Sequence, residues 1–169
     1  MLWKTFMVAT TVCLFELTQS ADKCSSFQIE TTVEPIKSMP RSKRVSGKKF
    51  VLVTLNRTSW FQAESICRYN KMQLAVINSP IEQRIVAQLK NQSDYSNSGF
   101  WISGNDLACR KNWYWSSNGH PIKYFNWQSG EPNNAKKNER CIKINPKTSK
   151  WNDDPCEYRN HYVCEEYLK

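Results

Sequence analysis

The sequence predicts a small α+β domain, on three observations. Two segments carry apolar residues at helical spacing; short aromatic and β-branched runs follow them without alternating with them; and six cysteines lie beyond the N-terminal apolar run. A chain of 169 residues has room for one full-sized core and not two. With 40% hydrophobic and 12% aromatic residues and 5 Gly, it is neither collagen-like nor a coiled coil. A mean hydropathy of −0.66 excludes a multi-pass membrane protein. The formal net charge of +9 draws the chain towards anionic surfaces without naming one.

Residues 1–20 read as a signal peptide: Lys4, an uncharged, mostly apolar run over residues 6–15, then Thr18, Gln19 and Ser20. The run is roughly half of the ~20 residues a bilayer span needs. No later stretch replaces it, so a secreted, extracellular protein with no membrane span is expected. Cleavage removes Cys13 and leaves Cys24, Cys67, Cys109, Cys141, Cys156 and Cys164 in an oxidising compartment, where disulfides are the default. Their pairing is open from the sequence. No Cys-x-x-Cys occurs and His120 and His161 stand apart, so no zinc site is expected. Asn56-Arg57-Thr58 and Asn91-Gln92-Ser93 are glycosylation acceptors and should lie on the surface.

Residues 21–49 read as a basic N-terminal arm, with Lys37, Arg41, Lys43, Arg44, Lys48 and Lys49 among Pro35, Pro40 and Gly47. Arg41-Ser42-Lys43-Arg44 also matches the pattern cut by secretory proprotein convertases; the solvated linker is the preferred reading. Residues 50–169 form the domain. Residues 50–55 are β-branched and apolar and predict a strand. Ser59 or Thr58 caps a helix to about Tyr69, with Trp60, Ala63, Ile66 and Cys67 on one face. Ser79-Pro80 opens a second helix carrying Ile81, Ile85, Val86 and Leu89. Residues 100–103 and 113–115 predict short strands, and residues 141–144 and 161–164 close the domain. Between them residues 116–140 show no periodicity, and a loop that long in a compact domain tends to be functional.

That loop contains Glu131-Pro132-Asn133 and ends on Glu139, two residues before Cys141; Trp151-Asn152-Asp153 stands three before Cys156. Three carboxylates and two amides make a mixed oxygen set of the kind a hard divalent cation takes, and soft ligands are absent. Acidic and amide residues also populate ordinary solvated loops. The flanking cysteines, which can hold both segments together, favour the site.

On these residues the sequence resembles the C-type lectin-like domain family, mannose-type, and most of all secreted insect lectins. The resemblance covers residues 50–169 and rests on Cys67, Phe100-Trp101-Ile102-Ser103-Gly104, Glu131-Pro132-Asn133, Trp151-Asn152-Asp153, Cys141, Cys156 and Cys164 in that family's pattern. It implies two helices flanking small antiparallel sheets with a long calcium-binding loop, disulfides Cys67–Cys164 and Cys141–Cys156, and a cis bond before Pro132. It implies Ca2+ held by Glu131, Asn133, Glu139, Asn152 and Asp153, and a sugar bound at the same five residues through two vicinal hydroxyls. The Glu-Pro-Asn order goes with equatorial 3- and 4-hydroxyls, hence mannose-type glycans on glycoproteins or microbial surfaces. A second calcium site of some relatives is expected to be missing, because the matching positions hold Asn134, Arg140 and Arg110, with only Asp106 acidic. Cys24–Cys109 is the preferred third bridge, with an intermolecular disulfide as the alternative.

No enzyme is expected: His120 and His161 lack a nucleophile motif and no phosphate loop is present. Trp101, Trp113, Trp115, Trp127 and Trp151 are expected in the core. Lys136, Lys137, Arg140, Lys143, Lys147 and Lys150 form a basic loop that either attracts anionic polymers or is a solvated face. Secretion disfavours nucleic acid. The expected function is calcium-dependent glycan recognition in innate immunity or reproduction, oligomerising for avidity; the rival is a lectin-like protein-binding module that does not bind sugar.

Overall fold

The computed structural model describes residues 42–45, 47–135 and 137–167. The expected signal peptide, Arg41 and Cys24 lie outside them. Among the described residues no helix is long and apolar enough to cross a membrane.

Ser42–Val45 (β1) and Lys48–Thr58 (β2) pair antiparallel across a turn at Gly47, whose φ of +73° suits a residue without a Cβ. Residues 42–49, read from the sequence as the end of a solvated arm, are therefore partly strand. Ser42 to Arg44 of the convertase-like motif are held in a hairpin. Lys48 is 5% exposed, with its ammonium 3.4 Å from both Glu82 and Glu165 and donating to the Val76 carbonyl at 3.0 Å. This basic residue stays in the fold because two buried carboxylates face it.

Trp60–Tyr69 (α1) starts at Ser59, whose hydroxyl accepts the Gln62 N–H at 3.3 Å. Trp60, Ala63 and Cys67 are buried, as the periodicity predicts. Gln73–Leu74 (β3) is a short strand the sequence did not signal. Pro80–Asn91 (α2) is capped by Ser79 onto the Glu82 N–H at 3.2 Å. Val86 and Leu89 enter the core, whereas Ile81 is exposed at the first turn. Phe100–Asn105 (β4), Tyr114–Trp115 (β5), Glu139–Ile144 (β6), Trp151–Pro155 (β7) and Asn160–Tyr167 (β8) complete the domain.

The strands join one sheet ordered β1-β2-β8-β4-β6-β7, with β3 on β8 and β5 on β4. The α+β class holds, but the sheet is mixed where small antiparallel sheets were expected: β4 and β8 pair parallel, Phe100 opposite His161 and Trp101 opposite Tyr162. Cys67–Cys164 fastens α1 to β8, and Cys141–Cys156 fastens β6 to the residue after β7. Phe100, Ile102, Ile142, Ile144, Trp115 and Trp151 anchor the core cluster beneath the long loop. Three indoles are anchored as well as packed: Trp60 donates to the Ile102 carbonyl, Trp101 to that of Thr58 and Trp151 to the Gln83 amide oxygen. Trp113 and Trp127, expected in the core, are only half-buried and lie at its edge.

Candidate functional site

The site is built on Trp151. Its buried side chain fixes the start of β7, and its backbone pairs with the loop: its N–H donates to Asn126 O and its carbonyl accepts from Gln128 N, both at 2.8 Å. Gln128 in turn accepts the Glu131 N–H at 3.0 Å, across a turn at Gly130 with φ of +86°. The Glu131–Pro132 bond is cis. Trp151-Asn152-Asp153 is strand, antiparallel to β6, with Asn152 opposite Lys143 and Asp153 opposite Ile142.

Asp153, 1% exposed, receives the loop. Its two carboxylate oxygens accept the backbone N–H groups of Asn133 and Asn134 at 3.0 and 2.9 Å. The Ala135 N–H then donates to both Asn133 Oδ1 and Glu139 Oε2 at 2.7 Å, and the Glu139 N–H donates to Asn134 Oδ1 at 3.1 Å. The Asn152 amide donates to the Asp153 carbonyl. Thus the fold brings Glu131, Asn133, Glu139 and Asp153 together, with Asn152 beside Asp153 on β7. The role of Asn134 and of the Ala135 N–H as organisers was not foreseen. A usable signal existed for the first, since Asn is among the residues most often found at positive φ and Asn134 sits at +48°.

The carboxylates repel one another. Glu131 is raised from 4.5 to about 7, first by burial, then by its contact with Asp153 and the charge of Asp153, with Glu139 adding and the Asn133 backbone opposing. Among the described residues its buried Oε2 has no hydrogen-bond partner. Among the described residues no three His, Cys, Asp or Glu side chains close into a metal group by themselves, so amide and backbone oxygens must complete any shell. An orphaned carboxylate oxygen beside other carboxylates and amide oxygens is a donor set that fits a hard divalent cation.

Asn133, Glu139 and Asp153 line a cleft of 320 Å³ together with Asp106, Arg110, Lys111 and Arg140. The Arg140 guanidinium pairs with the Asp106 carboxylate and donates to its carbonyl. Two of the four positions compared with a second calcium site, Asp106 and Arg140, are thus tied up in an internal ion pair.

Residues 56–166 match the family model for the Lectin C-type domain. The chain belongs to the C-type lectin family. It is 34% identical over 111 residues to a C-type lectin mannose-binding isoform of Oxyuranus scutellatus, covering 63% of this chain and 70% of that one. It is 33% identical over 119 residues to salivary C-type lectin 2 of Aedes albopictus, covering 66% and 79%. Among solved structures it resembles the C-type lectin domain of murine dendritic cell inhibitory receptor 2 in complex with N-glycan, at 30% identity and a TM-score of 0.66 over 77% of this chain and 99% of that one.

Asn56 on β2 and Asn91 at the end of α2 are both exposed, as acceptor asparagines must be. Cys109 is exposed and forms no disulfide among the described residues; its proposed partner Cys24 lies outside them. The basic loop is not uniformly solvated: Lys143 pairs with Asp154 at 2.6 Å and Arg140 with Asp106, while Lys147 and Lys150 are exposed.

Proposed function

We propose that this C-type lectin is a secreted, calcium-dependent binder of mannose-type sugars, acting on glycans of microbial surfaces or of glycoproteins. One observation carries the reading: among the described residues the buried Glu131 Oε2 has no hydrogen-bond partner, while the Glu131 carboxyl interacts with Asp153. Glu131, Asn133, Glu139, Asn152 and Asp153 would hold the ion. Bound there, calcium supplies coordination positions for two vicinal hydroxyl oxygens.

The chain's own residues then set the selectivity. Each hydroxyl has a proton to give and a lone pair to fill. Glu131 and Glu139 accept the protons, and the amide N–H groups of Asn133 and Asn152 fill the lone pairs. Because these partners sit on a strand and a loop pinned to it, the angle between the hydroxyls decides which sugar fits. The mannose-binding name of the Oxyuranus relative and the N-glycan bound by the murine domain support this choice. One monosaccharide makes few contacts, so affinity per site should be on the order of millimolar, with clustering supplying avidity.

A glycan array run in calcium and in chelator tests the reading. Signal on mannose, N-acetylglucosamine and fucose that disappears in chelator is expected. Absence of sugar signal in calcium, with calcium-independent capture of a protein, would instead identify a lectin-like protein-binding module.

A further inference from the structure

The cleft beside the ligand positions has a second wall of different chemistry, made by Arg110, Lys111 and Trp113. The backbone places them there. Lys111 takes a φ of +67° and its N–H donates to Asp106 Oδ2 at 2.7 Å, which folds the segment after β4 back on itself. Arg110 is steadied by donating to the Lys137 carbonyl at 3.0 Å.

The charges on this wall do not cancel. Arg140 is neutralised by Asp106, and Glu139 and Asp153 belong to the group organised around the loop. Among the described residues Arg110 and Lys111 form no ion pair. A carbonyl partner leaves the Arg110 charge whole. Beside them Trp113 is half-buried and backed by Trp127 at 4.9 Å between ring centroids, which gives the wall an apolar surface suited to the C–H side of a sugar ring. The space of 320 Å³ is at the lower end of ligand pockets, which run from roughly 300 Å³ upward, so it suits one saccharide unit. A guanidinium fork next to an ammonium on such a wall matches the oxygens of a sulfate or carboxylate.

We propose that this cleft is a subsite for an acidic group, sulfate or carboxylate, carried by the saccharide bound at the neighbouring site, with Arg110 and Lys111 determining that specificity. The inference rests on the lectin reading and extends it from neutral to acidic glycans.

The test measures, in calcium, binding of N-acetylglucosamine against its 6-sulfate and of mannose against mannuronic acid. The acidic member should bind about tenfold tighter in at least one pair, the size of one charge-assisted bond, and the pair that responds identifies the anion. The gain should vanish in R110Q/K111Q and survive in R84Q, which removes a charge from an exposed position of α2. Equal binding of neutral and acidic sugars overturns the subsite and leaves the lectin reading standing. An equal loss in R84Q also overturns it, since general attraction to a basic protein would then explain the gain. If no saccharide binds, both readings fail. Acidic sugar that binds in chelator and depends on Arg110 and Lys111 supports the subsite while overturning the calcium-dependent reading.

Discussion

The Asp153 carboxylate accepts the backbone N–H of Asn133 at 3.0 Å, with its second oxygen on the N–H of Asn134 at 2.9 Å. A strand residue thereby sets the shape of a loop 20 residues earlier in the chain. The same carboxylate is a proposed ligand, so structure and binding share one group. Replacing it separates from a simple loss of charge only if both are measured. D153A is expected to lower stability by at least about 2 kcal/mol, because two backbone donors lose a charged acceptor, and to abolish calcium-dependent sugar binding. Thermal unfolding in chelator reads the first effect, and retention on mannose resin in calcium reads the second.

Glu131 supplies a pH dependence. Its carboxyl is raised from 4.5 to about 7 by burial and by Asp153. Between those values the folded metal-free protein keeps a proton that the unfolded chain has shed, so this group makes stability fall as pH rises through that window. Calcium must displace the same proton. Calcium affinity is therefore expected to rise from pH 5.5 to about 7 and then level off, with a proton released on binding at the acid end. Calorimetry in buffers of different ionisation enthalpy measures the release; a pH-independent affinity over that range would contradict the assignment.

Lys48 tests the part of the fold that composition hides. Its ammonium lies 3.4 Å from Glu82 and from Glu165, the latter fully buried. K48M leaves both carboxylates uncompensated and is expected to cost about 3–5 kcal/mol. Burial already pushes Glu165 up while Lys48 holds it down, so removing Lys48 should raise it further and extend the loss of stability with rising pH to higher pH. Denaturant unfolding at several pH values reads both.

The Cys141–Cys156 bridge closes a separation of 15 residues that contains β7. C141S/C156S is expected to cost about 3 kcal/mol through the unfolded chain. The variant should lose calcium affinity by a larger factor than an equally destabilising change in the α2 face, such as V86A, because only the former loosens Asp153 against Glu139.

How far the sequence could be read follows from the range of each interaction. Both helices were legible because Ser59 and Ser79 cap locally and the apolar spacing needs only a few turns. The site residues were legible by type and order. The strand that carries two of them was not: Trp-Asn-Asp-Asp-Pro has little β-propensity, and it becomes β7 through pairing with β6 and the burial of Trp151. Lys48 looked like one more cation of a basic arm, since its partners stand 28 and more residues away. The same distance effect hid the wall formed by Arg110 and Lys111, which depends on a positive φ and on Asp106.

A crystal structure of the protein grown with calcium and mannose tests the central claim most directly. The account predicts one ion with oxygens of Glu131, Asn133, Glu139, Asn152 and Asp153 at about 2.3–2.6 Å, sharing its remaining positions with two vicinal hydroxyls of the sugar. Mannose bound away from these residues, or a calcium ion that leaves the Glu131 oxygen unpartnered, would contradict it.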